Sequence, residues 1–156
     1  MRNISQVGIA LIKKYEGCKL KPYLCPAGKP TIGWGSCYYS DGTPVSLKDK
    51  AITQAQADEL LLATLETYVE AVNYLTKQPL NQFQFDALCS FCYNVGVGNF
   101  KMSTLLKLIN INPNDPKIES QFLRWNKVNK KVLIGLTARR QYESDTYFRM
   151  KWNKAF

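Results

Sequence analysis

The stretch YEGCKLKPYLCPAGKPTIGWG, residues 15–35, decides how the chain is organised. On its N-terminal side Ile4, Val7, Leu11, Ile12 and Tyr15 recur at helical spacing, with Asn3 or Ser5 as a cap. Residues 4–15 are therefore expected to form a short amphipathic helix that ends at about Glu16 and Gly17. Between residues 21 and 44 this period gives way to prolines, glycines and aromatics. Turns are expected at Cys25-Pro26-Ala27-Gly28 and at Ser40-Asp41-Gly42-Thr43-Pro44. Such a composition suits short strands joined by tight turns. A glutamate, a cysteine nine residues on and a threonine six after that fall within the same stretch.

Beyond it the chain reads as helical. Thr53 with Gln56 is a capping box opening a helix through about Leu75, whose apolar face includes Leu61, Leu65, Tyr68 and Val72. Asn81 with Gln84 is a second box, opening a helix through Phe85, Leu88 and Cys92 that Gly96 and Gly98 are expected to end. Further helices are expected over 103–109, 115–127 and 137–152, the last reaching Trp152. No internal repeat or low-complexity tract occurs. The expected fold class is α+β and mainly helical, a single domain over 1–156. A small β-containing lobe at about 17–52 is inserted between the first helix and a larger helical lobe at about 53–156, and this arrangement is expected to leave a cleft at the junction.

With 156 residues, 46% of them apolar, the chain can bury roughly two-thirds of its unfolded surface, enough for one compact domain. No apolar run approaches the about 18 residues a membrane span requires. Gly8, Lys13 and Lys14 interrupt the first apolar stretch, so neither leader nor anchor is expected. The net charge of +9 favours polyanions: nucleic acid, an anionic membrane surface or an acidic wall polymer. Residues 117–156 hold ten Lys and Arg against Glu119, Glu143 and Asp145, a local net of +7. Five cysteines, at 18, 25, 37, 89 and 92, are an odd number without a secretory signal, which argues against a full disulfide framework. The chain contains no histidine. That excludes Ser-His-Asp and Cys-His nucleophile pairs and His-ligated zinc, and leaves proton transfer to carboxylates.

Glu16 is a candidate for such work, although by residue type alone it reads as a surface carboxylate. At a helix C-terminus it meets the negative end of the macrodipole, and Ile12, Tyr15 and the Trp34 segment are apolar neighbours; both effects oppose ionisation. Lys13, Lys14 and Lys19 favour it, and the sequence does not weigh the two. A carboxyl that keeps its proton near neutral pH is what glycosidic-bond cleavage needs, because a sugar oxygen leaves poorly until protonated.

The pattern E-x8-C-x5-T from Glu16 through Cys25 to Thr31, followed by Ile32-Gly33-Trp34-Gly35, resembles the catalytic segment of the phage-type lysozymes. These are the endolysins of glycoside hydrolase family 24, which carry E-x8-(D/C)-x5-T. The likeness continues through residues 82–100, 103–106, 122–125 and 135–143, so it covers nearly the whole chain in order. The resemblance implies a lysozyme-like two-lobed fold, with no metal and no cofactor. It implies Glu16 as proton donor, Cys25 in the place usually held by aspartate, and Thr31 holding the water that attacks the anomeric carbon. Phe91, Tyr93, Asn94 and Ser103 would face the cleft and contact sugar, and for Phe91 core packing stands as an equal reading. The implied activity is a muramidase cutting the β-1,4 bond between N-acetylmuramic acid and N-acetylglucosamine in peptidoglycan. The implied source is a phage or prophage, with a monomeric protein that accumulates in the host cytoplasm, needs a separate holin, and acts in the periplasm or cell wall. The basic C-terminal region would help hold an anionic cell-envelope surface, an inference from charge.

Cys25 departs from the commoner pattern. A thiol offers little negative charge unless Lys21 or Lys29 lowers its pKa, whereas a thiolate is a strong nucleophile able to form a glycosyl adduct; inverting and retaining chemistry both stay open. Cys89-x-x-Cys92 falls in an apolar helix without histidine and is read as core packing over zinc. A Cys18–Cys37 disulfide after export stays open. Trp125 is read as core, and Arg139 and Arg140 as structural or surface charge. Three rivals remain at this level: a wall-binding module with little turnover, a peptidoglycan transglycosylase, and a basic nucleic-acid-binding domain. The last is disfavoured because no helix-turn-helix or zinc signature is present.

Overall fold

The computed structural model describes residues 1–149. The element order is α1 (Gln6–Glu16), β1 (Lys19–Leu24), β2 (Pro30–Gly33), α2 (Gln54–Leu75), α3 (Gln82–Val95), α4 (Val97–Met102), α5 (Thr104–Ile111), α6 (Lys117–Leu123), β3 (Lys127–Val128), β4 (Lys131–Val132) and α7 (Ile134–Tyr147). The class is α+β and mainly helical. Two compact units arise: Glu16–Thr67 is one, and Met1–Tyr15 with the described residues from Tyr68 onward is the other.

The larger unit is organised around α3. Every residue from Gln84 to Cys92 is buried, which marks a helix enclosed on all sides. Phe85, Leu88, Phe91 and Cys92 pack with Phe100 of α4, Leu105 and Ile109 of α5, Ile118 and Phe122 of α6 and Tyr147 of α7. The capping box read from Asn81 and Gln84 is present: the Asn81 side chain accepts from Gln84 N–H, and the Gln84 side chain accepts from Asn81 N–H. Helix α1 lies against α3 at Gly8. A Cβ there would stand 2.6 Å from Ile4 Cγ1 and 2.9 Å from Asp86 Cβ, so only glycine permits the approach. The α1 start is tied to the same place, since Ser5 donates both its N–H, at 2.9 Å, and its hydroxyl to the Asp86 carboxylate.

In the smaller unit β1 and β2 form an antiparallel pair with Tyr23 opposite Thr31 and Leu24 opposite Pro30. Ile32, Val45 and Leu60 make its core, with Ile52 and Tyr39 packed against them. Both expected turns form: Gly28 N–H donates to Cys25 O at 2.8 Å, and Gly42 N–H to Tyr39 O at 2.9 Å. The Thr53–Gln56 box is made in both directions, at 3.1 and 2.9 Å. The Trp34 indole N–H donates to Asp58 Oδ1 at 2.8 Å.

Three expectations need correction. Of the two glycines taken as a stop, only Gly96 leaves helical geometry, with φ of 88°; Gly98 lies inside α4. Helix α6 ends at Leu123, short of the expected 127. The chain then makes the β3–β4 hairpin, in which Lys127 pairs with Val132 and Val128 with Lys131. Asn129 and Lys130 take φ of 48° and 65°, the pair of left-handed residues that matches a two-residue hairpin turn to strand twist. Helix α7 consequently begins at Ile134, ahead of the expected 137, and the expected end at Trp152 lies outside the described residues.

Candidate active site

Glu16 is the last residue of α1. Gly17 follows with φ of 66°, a left-handed position that ends the helix and that a side chain would strain. Lys13 and Lys14 occupy the last turn, where positive charge meets the negative helix end.

Cys25 closes the β1–β2 hairpin. Its N–H donates to Lys29 O at 3.0 Å, one step beyond the Leu24–Pro30 pair. Side chains alternate along strands and opposed residues share a face, so Tyr23, Cys25 and Thr31 lie on one side of the hairpin. The Cys25 thiol is held below the usual thiol range, chiefly by a hydrogen bond from the Lys29 backbone N–H. Desolvation works against this, while the Ala27 N–H, the Thr31 hydroxyl and the Lys29 charge reinforce it. Lys29, expected to act by charge, acts mainly through its amide, because the turn aims backbone donors at the sulfur.

Thr31 is only 2% exposed. Its hydroxyl donates to Lys29 O at 2.9 Å and stands 3.7 Å from Cys37 Sγ. A hydroxyl has one proton and two acceptor sites, so donation to a Cys25 thiolate competes with donation to Lys29 O.

Sequence reasoning missed Tyr23. Burial pushes its phenol up, and the charges of Cys25, Glu16, Cys37 and Cys18 push in the same direction. Lys19 Nζ stands 4.2 Å from its ring centroid. Glu16 and Cys25 therefore act on a common neighbour. The available signal was strand alternation, which sets Tyr23 two residues before Cys25. All five cysteines are free thiols. Among the described residues no group of three or more His, Cys, Asp and Glu side chains could hold a metal ion.

The four residues expected to touch sugar lie in the larger unit, and their surroundings differ. Phe91 is 0% exposed, edge-on to Phe122 at 5.5 Å and Trp125 at 5.7 Å between centroids, so its ring belongs to the core. Ser103 is buried; its hydroxyl accepts from Leu106 N–H at 3.1 Å and donates to Phe100 O at 2.7 Å, capping α5. Tyr93 is half-buried with its ring 5.1 Å from that of Tyr68, and Asn94 is exposed. Tyr93 and Asn94 are thus the two that a ligand can reach.

Asn94 Oδ1 accepts a hydrogen bond from Arg140, so its amide nitrogen is the part of the side chain that can donate to a ligand. Arg140 is fully buried and its other end donates to Glu143 Oε2 at 2.9 Å. Arg139 Nε meets Glu143 Oε1 at 3.1 Å, and Ser90 Oγ donates to that oxygen at 2.7 Å. The two arginines, read as structural or surface charge, are structural. Burial pushes the Glu143 carboxyl up, and the Arg140 and Arg139 guanidiniums oppose the shift. A 340 Å³ cavity nearby is lined by Met102, Ser103, Thr104, Gln121, Arg124 and Trp125.

Residues 13–143 match the family described as phage lysozyme. The chain belongs to that family. This phage lysozyme is 45% identical over 143 residues to an endolysin of Bacillus phage B103, the match covering 90% of this chain and 52% of that protein. It thus spans about half the length of that relative. A solved endolysin from Escherichia coli O157:H7 phage FAHEc1 is 38% identical, with a TM-score of 0.87 over 96% of this chain and 95% of that one. The muramidase domain of SpmX from Asticaccaulis excentricus is 33% identical, with a TM-score of 0.80 over 94% of this chain and 98% of that one. The phage lysozyme fold is therefore established, and the matched segment contains Glu16, Cys25, Thr31, Tyr93 and Asn94.

Proposed function

We propose that this phage lysozyme is an endolysin-type muramidase that hydrolyses the β-1,4 bond between N-acetylmuramic acid and N-acetylglucosamine in peptidoglycan. Family membership and relatives named endolysin and muramidase support the substrate class. The observation that carries the chemistry is the hairpin: Thr31 stands opposite Tyr23 in the strand pair, Cys25 closes the turn two residues beyond Tyr23, and Cys25 and Glu16 both act on Tyr23.

Glu16 gives its proton to the bridging oxygen as the bond to the anomeric carbon breaks. The Cys25 thiolate, favoured by the turn amides, faces the positive charge that develops on the sugar. Thr31 orients the water that adds to the anomeric carbon, the proton this water releases passes to the Cys25 thiolate, and exchange with solvent restores both groups for the next turnover. Tyr93 offers a ring face and Asn94 an amide donor to the glycan. Phe91 and Ser103 support these residues from within the fold. The enzyme acts as a monomer on the wall of a lysing host, having reached it from the cytoplasm through a separate holin.

Clearing of chloroform-treated Gram-negative cells tests the reading. Glu16→Gln is expected to slow clearing by about a hundred- to ten-thousand-fold, Cys25→Asp to retain clearing and Cys25→Ala to lose most of it. Full activity in Glu16→Gln would refute the assignment. Mass spectra of the released muropeptides are expected to carry the added water of hydrolysis, and a 1,6-anhydro end would make the enzyme a transglycosylase.

A further inference from the structure

The hairpin between α6 and α7 carries an unusual surface. All residues from 127 to 135 are exposed, yet four are branched apolar side chains: Val128 at 49%, Val132 at 58%, Leu133 at 43% and Ile134 at 90% exposure. Scattered single apolar residues on a surface need no explanation, but here Leu133 and Ile134 are adjacent and exposed at the end of a ribbon whose two faces each add a valine beside a lysine. Lys127, Lys130 and Lys131 supply that charge, and no Asp or Glu occurs between Glu119 and Glu143.

The register interleaves the two kinds of side chain. Lys127 is paired with Val132 and Val128 with Lys131, so each face of the ribbon bears one lysine beside one valine. Leu133 extends the ladder, its N–H donating to Asn126 O at 2.9 Å, and Ile134 follows at the start of α7. Lysine stems are apolar and their ammonium groups reach outward. A ribbon of this kind suits an interface where apolar side chains enter the headgroup boundary while the ammonium groups meet phosphate. A purely anionic polymer would use the lysines and leave the valines, leucine and isoleucine in water.

We propose that the β3–β4 hairpin and the first residue of α7 form a docking surface for an anionic phospholipid bilayer. Leu133 and Ile134 insert at the headgroup level, each valine lies beside the lysine of its own ribbon face, and Lys127, Lys130 and Lys131 bind lipid phosphates. The surface uses no residue assigned to catalysis, so it stands or falls independently of the muramidase assignment.

The test is sedimentation of the full-length protein with vesicles of phosphatidylglycerol and phosphatidylethanolamine, against vesicles of phosphatidylcholine. Binding to the anionic vesicles and not to the zwitterionic ones is expected. Replacing Lys127, Lys130 and Lys131 by glutamine is expected to weaken it about a hundredfold, at about fivefold per lysine. The same charge change at exposed Lys48, Lys50 and Lys107 is expected to weaken it only a few-fold. The pair Leu133→Ser and Ile134→Ser, with charge unchanged, is expected to weaken it about tenfold or more. These sites are exposed, so thermal melting of every variant should match the parent. Failure of the parent to bind anionic vesicles would overturn the proposal. So would equal losses in the two lysine triples, or unchanged binding in the serine pair.

Discussion

Arg140 Nη1 and Glu143 Oε2 meet at 2.9 Å with both side chains fully excluded from solvent. A buried pair is strongly destabilising to break, because the survivor remains as an uncompensated charge. Glu143→Ala is expected to cost about 3–5 kcal/mol, read as a lower urea midpoint with little change in slope. Replacing Arg139, Arg140 and Glu143 together by apolar residues should cost less than the single change.

Cys25 should be the first thiol to react. The turn amides hold its pKa down, so thiolate is present at a pH where ordinary thiols are protonated. Iodoacetamide labelling against pH, followed by peptide mass spectrometry, should show an inflection for Cys25 below that of Cys18 in the unfolded chain. Since the folded value is the lower one, the linked stability is present above the unfolded thiol pKa and is lost as pH falls through the folded one. Cys25→Ser should remove that dependence.

Cys89 and Cys92 should behave oppositely. Burial pushes the Cys92 thiol up to about 12 and raises Cys89 as well. Both are expected to resist labelling in the native protein and to react only on unfolding, so their modification rate serves as a probe of global opening.

Gly8→Ala would drive a methyl group into Ile4 and Asp86. Overpacking of this kind costs about 1–3 kcal/mol. The melting temperature should fall, while labelling of Cys25, in the other unit, should keep its pH dependence.

Phe91 and Asn94 separate packing from recognition. Phe91→Ala empties a fully buried aromatic site and should cost about 3–5 kcal/mol. Asn94→Ala is expected to raise KM on soluble peptidoglycan fragments several-fold, leaving kcat within about twofold as a lost uniform binding contact does.

Most of this was legible because it rests on local chemistry. Asn81 with Gln84 and Thr53 with Gln56 announce helix starts that require no partner elsewhere, and the sequence from Glu16 to Gly35 spells out helix end, strand, turn and strand. The β3–β4 hairpin was not legible: two-residue strands are too short to show a period, and Asn129-Lys130 lacks the glycine that usually marks such a turn. Gly98 misled because glycine breaks a helix only where its conformation is used. For Phe91 core packing is an equal reading of the sequence, and α4, α5 and α6 packing over it decide for the core; the burial of Ser103 as the α5 cap is carried by no local pattern. The amide-rich setting of Cys25 was hidden for the same reason, since it arises from backbone geometry and not from a side chain.

The buried group formed by Arg139, Arg140, Glu143 and Ser90 has a consequence for how relatives of this chain diverge. Loss of Glu143 would strand two buried guanidiniums, so Glu143, Arg139 and Arg140 should mutate as a block. Aligned homologues would then show them either all kept or all replaced, with Asn94, tethered to Arg140, changing in step.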